Sequence, residues 1–162
     1  MNDNLLQNEF IKGTADIGLE GFYKGQLTRL FPSSIPEIVG SLLLNIWLPW
    51  KGKFFYPQEQ LGDNIMSSKL ETFIRFLYRD FATAKPADGK FHSFPFHTYA
   101  MPGMLDQINV LQLNYDLPQN PPVVRKIIDE IVLVGNHEYL GKAYFMDKNM
   151  PRLVGYFRLK KE

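Results

Sequence analysis

Two segments in the first half of the chain carry apolar residues every three or four positions, the spacing typical of an amphipathic helix. The first predicted helix covers residues 35–47, and residues 34–37 (Ser-Ile-Pro-Glu) have the S-x-x-E pattern of a capping box. The second covers residues 69–81 and follows a similar box at residues 68–71. Both predicted helices therefore belong to the N-terminal half.

The second half changes to the two-residue alternation of β-strands. One strand is predicted early, at 50–56, and the later ones are predicted at 91–99, 107–115, 132–134, 139–146 and 152–159. A predicted turn at 135–138 joins 132–134 to 139–146. Residues 121–131 fit either a helix or a strand, and their β-branched residues favour a short turn at 120–124 followed by a strand. The pattern predicts five or six antiparallel strands after two helices.

The strand pattern also indicates a closed sheet. Several predicted strands are apolar or aromatic on both faces, whereas an open sheet with one solvated face would alternate more cleanly. We therefore expect an α+β fold that is mostly β, an antiparallel barrel with the two helices packed on it or capping it. One domain would cover residues 15–162, and residues 1–14 are expected to be frayed because nothing in them demands a core.

Composition and charge exclude several classes of protein. The chain has 162 residues, 18 basic and 17 acidic side chains and a net charge of +1, so no global basic field indicates nucleic-acid binding. Cysteine is absent, which removes disulfides and thiolate chemistry. The longest apolar stretch, residues 38–48, is shorter than the roughly 20 residues that span a bilayer. We expect a cytoplasmic protein without integral membrane association, and the oligomeric state stays open.

Aromatic residues stand out, with 13 Phe, 8 Tyr and 2 Trp. Rings along barrel strands can form the walls of a ligand cavity, in which a few polar groups orient an apolar molecule. The alternative is a solid core, because an eight-stranded barrel is just narrow enough for side chains to fill. The candidate ligand-binding residues are Trp47, Trp50, Phe94, Phe96, His97, Tyr99, Tyr139 and Tyr156.

Histidines and nucleophiles offer little sign of catalysis. His92 and His97 are an odd number of residues apart, so on a strand they point to opposite faces, and no metal or other cofactor is expected. His97 shares a face with Tyr99 and could provide a polar group inside a pocket. His137 falls in a predicted turn and is expected to be solvated. The sequence has no G-x-S-x-G, Walker A or G-x-G-x-x-G motif, and no catalytic residue is assigned.

Two adjacent carboxylates interrupt an apolar run. Asp129 and Glu130 are neighbours on a predicted strand and should face opposite ways, so one of them should point to the interior and need a partner. The candidate partners are Arg125, Lys126 and Arg158. Such a carboxylate would act either in an ion pair that fixes the strand register or as a general acid or base.

Residues 49–54 (Pro-Trp-Lys-Gly-Lys-Phe) resemble the W-x-G-K core of the bacterial GXWXG-motif proteins, with Leu48 in place of the first glycine. Residues 113–121 resemble the strand-to-turn segment of related proteins, and residues 128–130, 139–142 and 155–157 resemble their closing hairpin. The resemblance implies a small calycin-like barrel, like the lipocalins and fatty-acid-binding proteins, with an apolar ligand. It implies no catalytic residue.

The combined prediction is a non-catalytic binder of a small hydrophobic molecule, such as a fatty acid or another lipid-like compound, held in a barrel cavity. One alternative is an isomerase or cyclase that uses the same pocket, with His97, Tyr99 or Asp129 handling protons. Another is a module that docks on a protein or membrane surface through the helix at 35–48.

Overall fold

A computed structural model of the chain describes residues 3–31, 50–67 and 91–161. One helix, α1 (Asp3–Phe10), precedes the strands β1 (Gly21–Leu30), β2 (Trp50–Tyr56), β3 (Leu61–Met66), β4 (Phe91–Pro102), β5 (Asn109–Asn114), β6 (Ile127–Gly135), β7 (Glu138–Asp147) and β8 (Met150–Lys161). Each strand pairs antiparallel with the next, and β8 pairs with β1. The eight strands therefore form a closed up-and-down barrel.

The predicted antiparallel barrel is confirmed, but the predicted strand number is too low. Strands β1 and β3 were not expected. β1 contains two glycines and two charged residues, and β3 is only six residues long and includes Asp63 and Asn64, so neither shows a clean alternation. The predicted helices at 35–47 and 69–81 lie outside the described residues.

The ambiguous segment before β6 forms a turn followed by a strand. A single 3-10 turn covers Val124–Lys126, and β6 starts directly at Ile127. The hairpin between β6 and β7 is tighter than predicted, because only Asn136 and His137 separate the two strands. His137 is exposed, as expected, and adopts the left-handed backbone conformation that such a turn requires.

The N-terminus differs from the expectation that it is frayed. α1 is an ordered helix whose Leu6 and Phe10 are fully buried. They pack on the outer face of the barrel against Val110, Val132 and Leu140. Two apolar residues four positions apart are enough to fix one helical turn against a sheet, since tertiary packing stabilises short helices more than propensity does.

One end of the barrel interior is filled by four rings, which we call the aromatic plug (Tyr23, Phe55, Phe96 and Tyr139). Successive ring centroids lie 5.5–5.6 Å apart in edge-to-face contacts, from Tyr139 through Tyr23 and Phe55 to Phe96. All four side chains are at most 2 % exposed. The phenol of Tyr139 donates a hydrogen bond to Asp16 at 2.6 Å, and the buried Leu19 packs in the same core.

Candidate functional site

The other end of the interior contains a recess. Its total volume is about 540 Å³, including the part that is open to solvent. The centre of a water molecule can occupy about 40 Å³ of this volume without touching the walls. Since one water needs roughly 10–15 Å³ of such space, the recess has room for about three waters. The walls are mostly apolar and include Leu27, Met66, Phe94, Val124, Ile127, Ala143 and Phe157.

Four side chains form the polar floor of this cavity: Lys53, Asn64, Tyr115 and Asp129. The Nζ of Lys53 lies 2.9 Å from Oδ2 of Asp129 and donates to Oδ1 of Asn64 at 3.0 Å. It also donates to the phenol oxygen of Tyr115, which itself donates to Asp129 at 2.9 Å. Lys53 thus has three acceptors for its three protons, and the polar floor is a closed network.

The charges of the polar floor are buried. The side chains of Lys53 and Asp129 are 3 % and 6 % exposed. Burial lowers the pKa of Lys53, and the neighbouring Asp129 opposes part of that effect. Burial, followed by the nearby Asp129 charge, raises the pKa of Tyr115 well above its usual value, which keeps the phenol protonated. The ion pair carries no net charge, so the floor has no formal charge left to offer a ligand.

Aromatic rings surround the ammonium group of Lys53. Its Nζ lies 5.1–5.4 Å from four ring centroids, those of Phe96, Tyr115, Phe157 and Trp50. The faces of such rings attract cations, most strongly where water is excluded. The rings and Asp129 together offset part of the desolvation cost of a buried cation.

A β-bulge directs Lys53 into the barrel. The pairing of β2 with β3 shifts register between Trp50 and Gly52, so Trp50 and Lys53 both line the cavity although they are three residues apart. Gly52 is needed there, because a Cβ at that position would lie 2.0 Å from the carbonyl oxygen of Tyr23. Strict alternation puts Lys51 and Lys53 on one face, whereas Lys51 is exposed and Lys53 is buried.

Trp50 borders the cavity and carries a buried indole donor. Among the described residues, its Nε1 has no hydrogen-bond partner. The ring lies over Gly25, where an added Cβ would come within 2.4 Å of it. A buried N–H without an acceptor is costly, so an acceptor brought by a ligand would be favourable at this position.

Four of the predicted site residues lie inside the barrel. Trp50 and Phe94 line the cavity. Phe96 and Tyr139 belong to the aromatic plug, where Phe96 is fully buried. Trp47 lies outside the described residues.

The other three predicted site residues lie on the outer surface of the barrel. His97 and Tyr99 share a face, as predicted, but the neighbouring Phe96 points inward, so both face away from the cavity. Tyr99 is 44 % exposed. Tyr156 packs beneath α1 and donates a hydrogen bond to Gln7 at 3.1 Å. The prediction that His97 contributes a polar group to the pocket is therefore wrong.

Asp129 and Glu130 point to opposite faces, as alternation predicted, but both are buried. Asp129 faces the cavity and pairs with Lys53, so the proposed partners were wrong. Arg125 pairs with Asp116, Arg158 pairs with Glu9 and Glu138, and Lys126 lies over the ring of Phe145. No local signal identifies Lys53, because it lies 76 positions away in sequence and reaches Asp129 only across the closed barrel.

Glu130 belongs to a second buried group on the outside of the barrel, the outer polar cluster (Gln7, Asp106, Glu130 and Lys142). Lys142 pairs with Asp106 at 2.5 Å, and Gln7 of α1 donates to Asp106 at 2.6 Å. Glu130 accepts a hydrogen bond from the backbone N–H of Met104 at 2.7 Å, and burial raises its pKa. These contacts attach α1 and the β4–β5 connection to the barrel wall.

The described residues form neither a metal site nor a membrane-spanning helix. Within 3–31, 50–67 and 91–161, no three histidine, aspartate or glutamate side chains converge in a way that could hold a metal ion. The helix in this part of the chain is too short and too polar to cross a bilayer.

Comparison with known proteins supports the fold. No family model matches the chain, and no curated protein matches it. The barrel is similar to the crystal structure of a protein from Thermomonospora curvata, with 16 % identity and a TM-score of 0.53 over all of this chain and 88 % of that one. At this identity the similarity shows a shared fold and nothing about function, and the resemblance to the GXWXG-motif proteins stays a prediction.

Proposed function

We propose that this protein is a non-catalytic, calycin-like binder of a small, mostly apolar molecule, which it holds in the cavity above the polar floor. The observation that carries the proposal is the combination of apolar walls with a floor whose charges neutralise each other. Binding would be driven by removing apolar surface from water, worth about 25 cal/mol per Å².

The charge balance favours a neutral ligand over a free fatty acid. A carboxylate would enter a region where Asp129 already neutralises Lys53, and it would lose its hydration without gaining an unpaired cation. An alcohol, ester or carbonyl compound avoids that cost. Such a ligand could also accept a hydrogen bond from the indole N–H of Trp50, which has no acceptor within the described part of the chain.

The size of the cavity limits the ligand. The recess accepts only a few heavy atoms, so a longer chain must extend out through its opening. That opening lies at the end of the barrel where β1 ends, β2 begins and Ile127 starts β6. We expect short-chain or small cyclic compounds to bind better than bulky ones.

A titration of matched ligands tests the proposal. We expect 1-hexanol to bind in isothermal titration calorimetry and hexanoate to bind at least about tenfold more weakly, a difference of about 1.4 kcal/mol. Ala143→Leu fills the cavity and should abolish binding, whereas Ala100→Leu, on an exposed position of β4, should leave it unchanged. Absence of binding by both compounds, or equal binding to the two variants, would refute the proposal.

A second candidate function is an isomerase-type enzyme in the same cavity. The observation in its favour is that two groups able to carry protons, Tyr115 and Asp129, lie within hydrogen-bond distance in the cavity. Turnover of a bound carbonyl compound that is lost in Asp129→Asn would support it. The docking module at 35–48 lies outside the described residues and stays a prediction.

A further inference from the structure

We propose that Lys53 captures small apolar aldehydes by forming a protonated Schiff base inside the barrel. This inference rests on the proposed function, because the cavity must first bring the carbonyl carbon to the amine. It goes beyond that function by assigning a covalent step to one side chain and by naming the class of ligand.

The position of the amine carries the inference. The Nζ of Lys53 lines the cavity at the floor, where apolar walls would hold the alkyl part of an aldehyde. A second buried lysine, Lys142, provides a natural contrast. Its ammonium lies on the outer side of the barrel, over the ring of Phe10 and against Asp106, and it does not line this cavity.

The groups around Lys53 suit the proton transfers of imine formation. Attack on the carbonyl requires the neutral amine, and Asp129 at 2.9 Å is placed to take the proton that Lys53 releases. The phenol of Tyr115, which bridges Lys53 and Asp129, can pass a proton to the carbinolamine oxygen as water leaves. Burial already disfavours the charged amine at this position.

The reaction balances without any further reagent. The lysine ammonium and the aldehyde RCHO give the iminium, Lys–NH⁺=CHR, and one water. The nitrogen–carbon bond forms, the carbonyl carbon–oxygen bond breaks, and the oxygen leaves as water with two protons from the nitrogen. No atom is oxidised or reduced, and the total charge is unchanged.

The product retains the electrostatic partners of the ammonium. The iminium remains a cation beside Asp129 and among the rings of Trp50, Phe96 and Phe157. A neutral imine would instead leave the buried carboxylate without its counter-ion, which is costly. The site therefore favours the protonated form of the Schiff base.

Reductive trapping tests the inference. The folded protein is incubated with hexanal and sodium cyanoborohydride at pH 7, and alkylated lysines are identified by peptide mass spectrometry. An exposed lysine with a pKa of about 10.4 is neutral in less than about one molecule in a thousand at this pH. We expect Lys53 to be alkylated at least about tenfold faster than exposed lysines such as Lys51, and Lys142 to stay unmodified.

Two controls keep the result interpretable. Excess 1-hexanol, which occupies the cavity but cannot form an imine, should protect Lys53 and leave Lys51 labelling unchanged, and this control needs no variant. Tyr115→Phe should slow the labelling of Lys53 and leave the labelling of Lys51 unchanged. Labelling spread over exposed lysines with Lys53 unmodified would overturn the inference.

The calorimetric titration separates this inference from the proposed function. If 1-hexanol binds and Lys53 is not alkylated, the covalent step is wrong and the binding function stands. If 1-hexanol does not bind, both fail. If Lys53 is alkylated and hexanol does not protect it, the amine reacts outside the proposed binding mode, which also contradicts the inference.

Discussion

The two ends of the barrel interior are lined by the same strands but are packed differently. At one end the aromatic plug fills the space, and an added Cβ on Gly62 would lie 2.4 Å from the ring of Phe96. At the other end Ala143 and Gly155 face the open cavity, and the polar floor lies between the two regions. The interior is therefore filled at the plug end and open at the cavity end.

This difference divides the core into an aromatic plug that stabilises the fold and a cavity that we propose to bind the ligand. Rings in edge-to-face contact stabilise the plug through burial and contact geometry. At the cavity, Trp50 and Phe157 also meet edge to face, with ring centroids 5.6 Å apart, but the space beside them is open, and the buried ion pair is a weak source of stability.

Breaking the ion pair of the polar floor should be one of the two most costly changes. Lys53→Met leaves Asp129 buried without a counter-ion, and we expect the free energy of unfolding to fall by about 3–5 kcal/mol. Urea denaturation measures the change.

The double variant Lys53→Met/Asp129→Leu is the matched control. It replaces both charges by apolar side chains and should recover most of the loss, because a buried pair often contributes little relative to apolar residues. A double variant as unstable as the single one would show that the floor itself, and not the unpaired charge, holds the barrel together.

Truncations at the two ends should differ in cost. Phe55→Ala in the plug should destabilise the protein by about 3–5 kcal/mol, because its neighbours cannot collapse into the space. Met66→Ala, at the cavity wall, should cost about 2 kcal/mol, since this side chain already borders empty space. Thermal and urea unfolding of both variants measure the difference, and equal costs would contradict the division.

Added methyl groups should show the same asymmetry on a smaller scale. Gly62→Ala meets both Phe96 and the backbone oxygen of Phe54, which lies 2.7 Å from the new Cβ, so we expect a loss of about 1–3 kcal/mol. Gly25→Ala meets first the side-chain ring of Trp50, which borders the cavity. We expect a smaller loss of unfolding free energy in Gly25→Ala than in Gly62→Ala. Urea unfolding of both variants measures the two losses. A larger loss in Gly25→Ala would argue against space next to Trp50.

The smallest effect concerns pH and the outer polar cluster. Burial raises the folded-state pKa of Glu130 above its usual value of 4.5. Between the pKa of Glu130 in the unfolded state and its higher pKa in the folded state, the folded protein retains a proton that the unfolded chain has lost. The contribution of Glu130 to stability therefore falls as pH rises. Glu130→Gln should remove that contribution, and urea unfolding at pH 4.5 and pH 7 measures the slope. An unchanged slope would show that Glu130 is ionised at the same pH in both states.

The sequence predicts the barrel because aromatic and apolar residues on both faces of several strands leave few other arrangements. It does not reveal β1 or β3, whose glycines and charged residues hide the alternation. It also misses α1, since two buried residues, Leu6 and Phe10, make too short a pattern to stand out.

The candidate site was predicted in part, for a physical reason. Rings could be assigned to the interior from strand periodicity, which found Trp50 and Phe94. The inward turn of Lys53 depends on the bulge at Gly52, and its pairing with Asp129 depends on barrel closure. Both are long-range geometric effects that leave no mark in local spacing.

Methyl resonances measured during a 1-hexanol titration test the central claim most directly. The account predicts that the ¹³C-methyl signals of Met66, Val124 and Ile127, at the cavity, shift in a saturable way. Those of Leu19 and Leu159, buried in the core but not lining the cavity, should stay unchanged. Uniform shifts across both groups, or no saturable shift at the cavity residues, would contradict it.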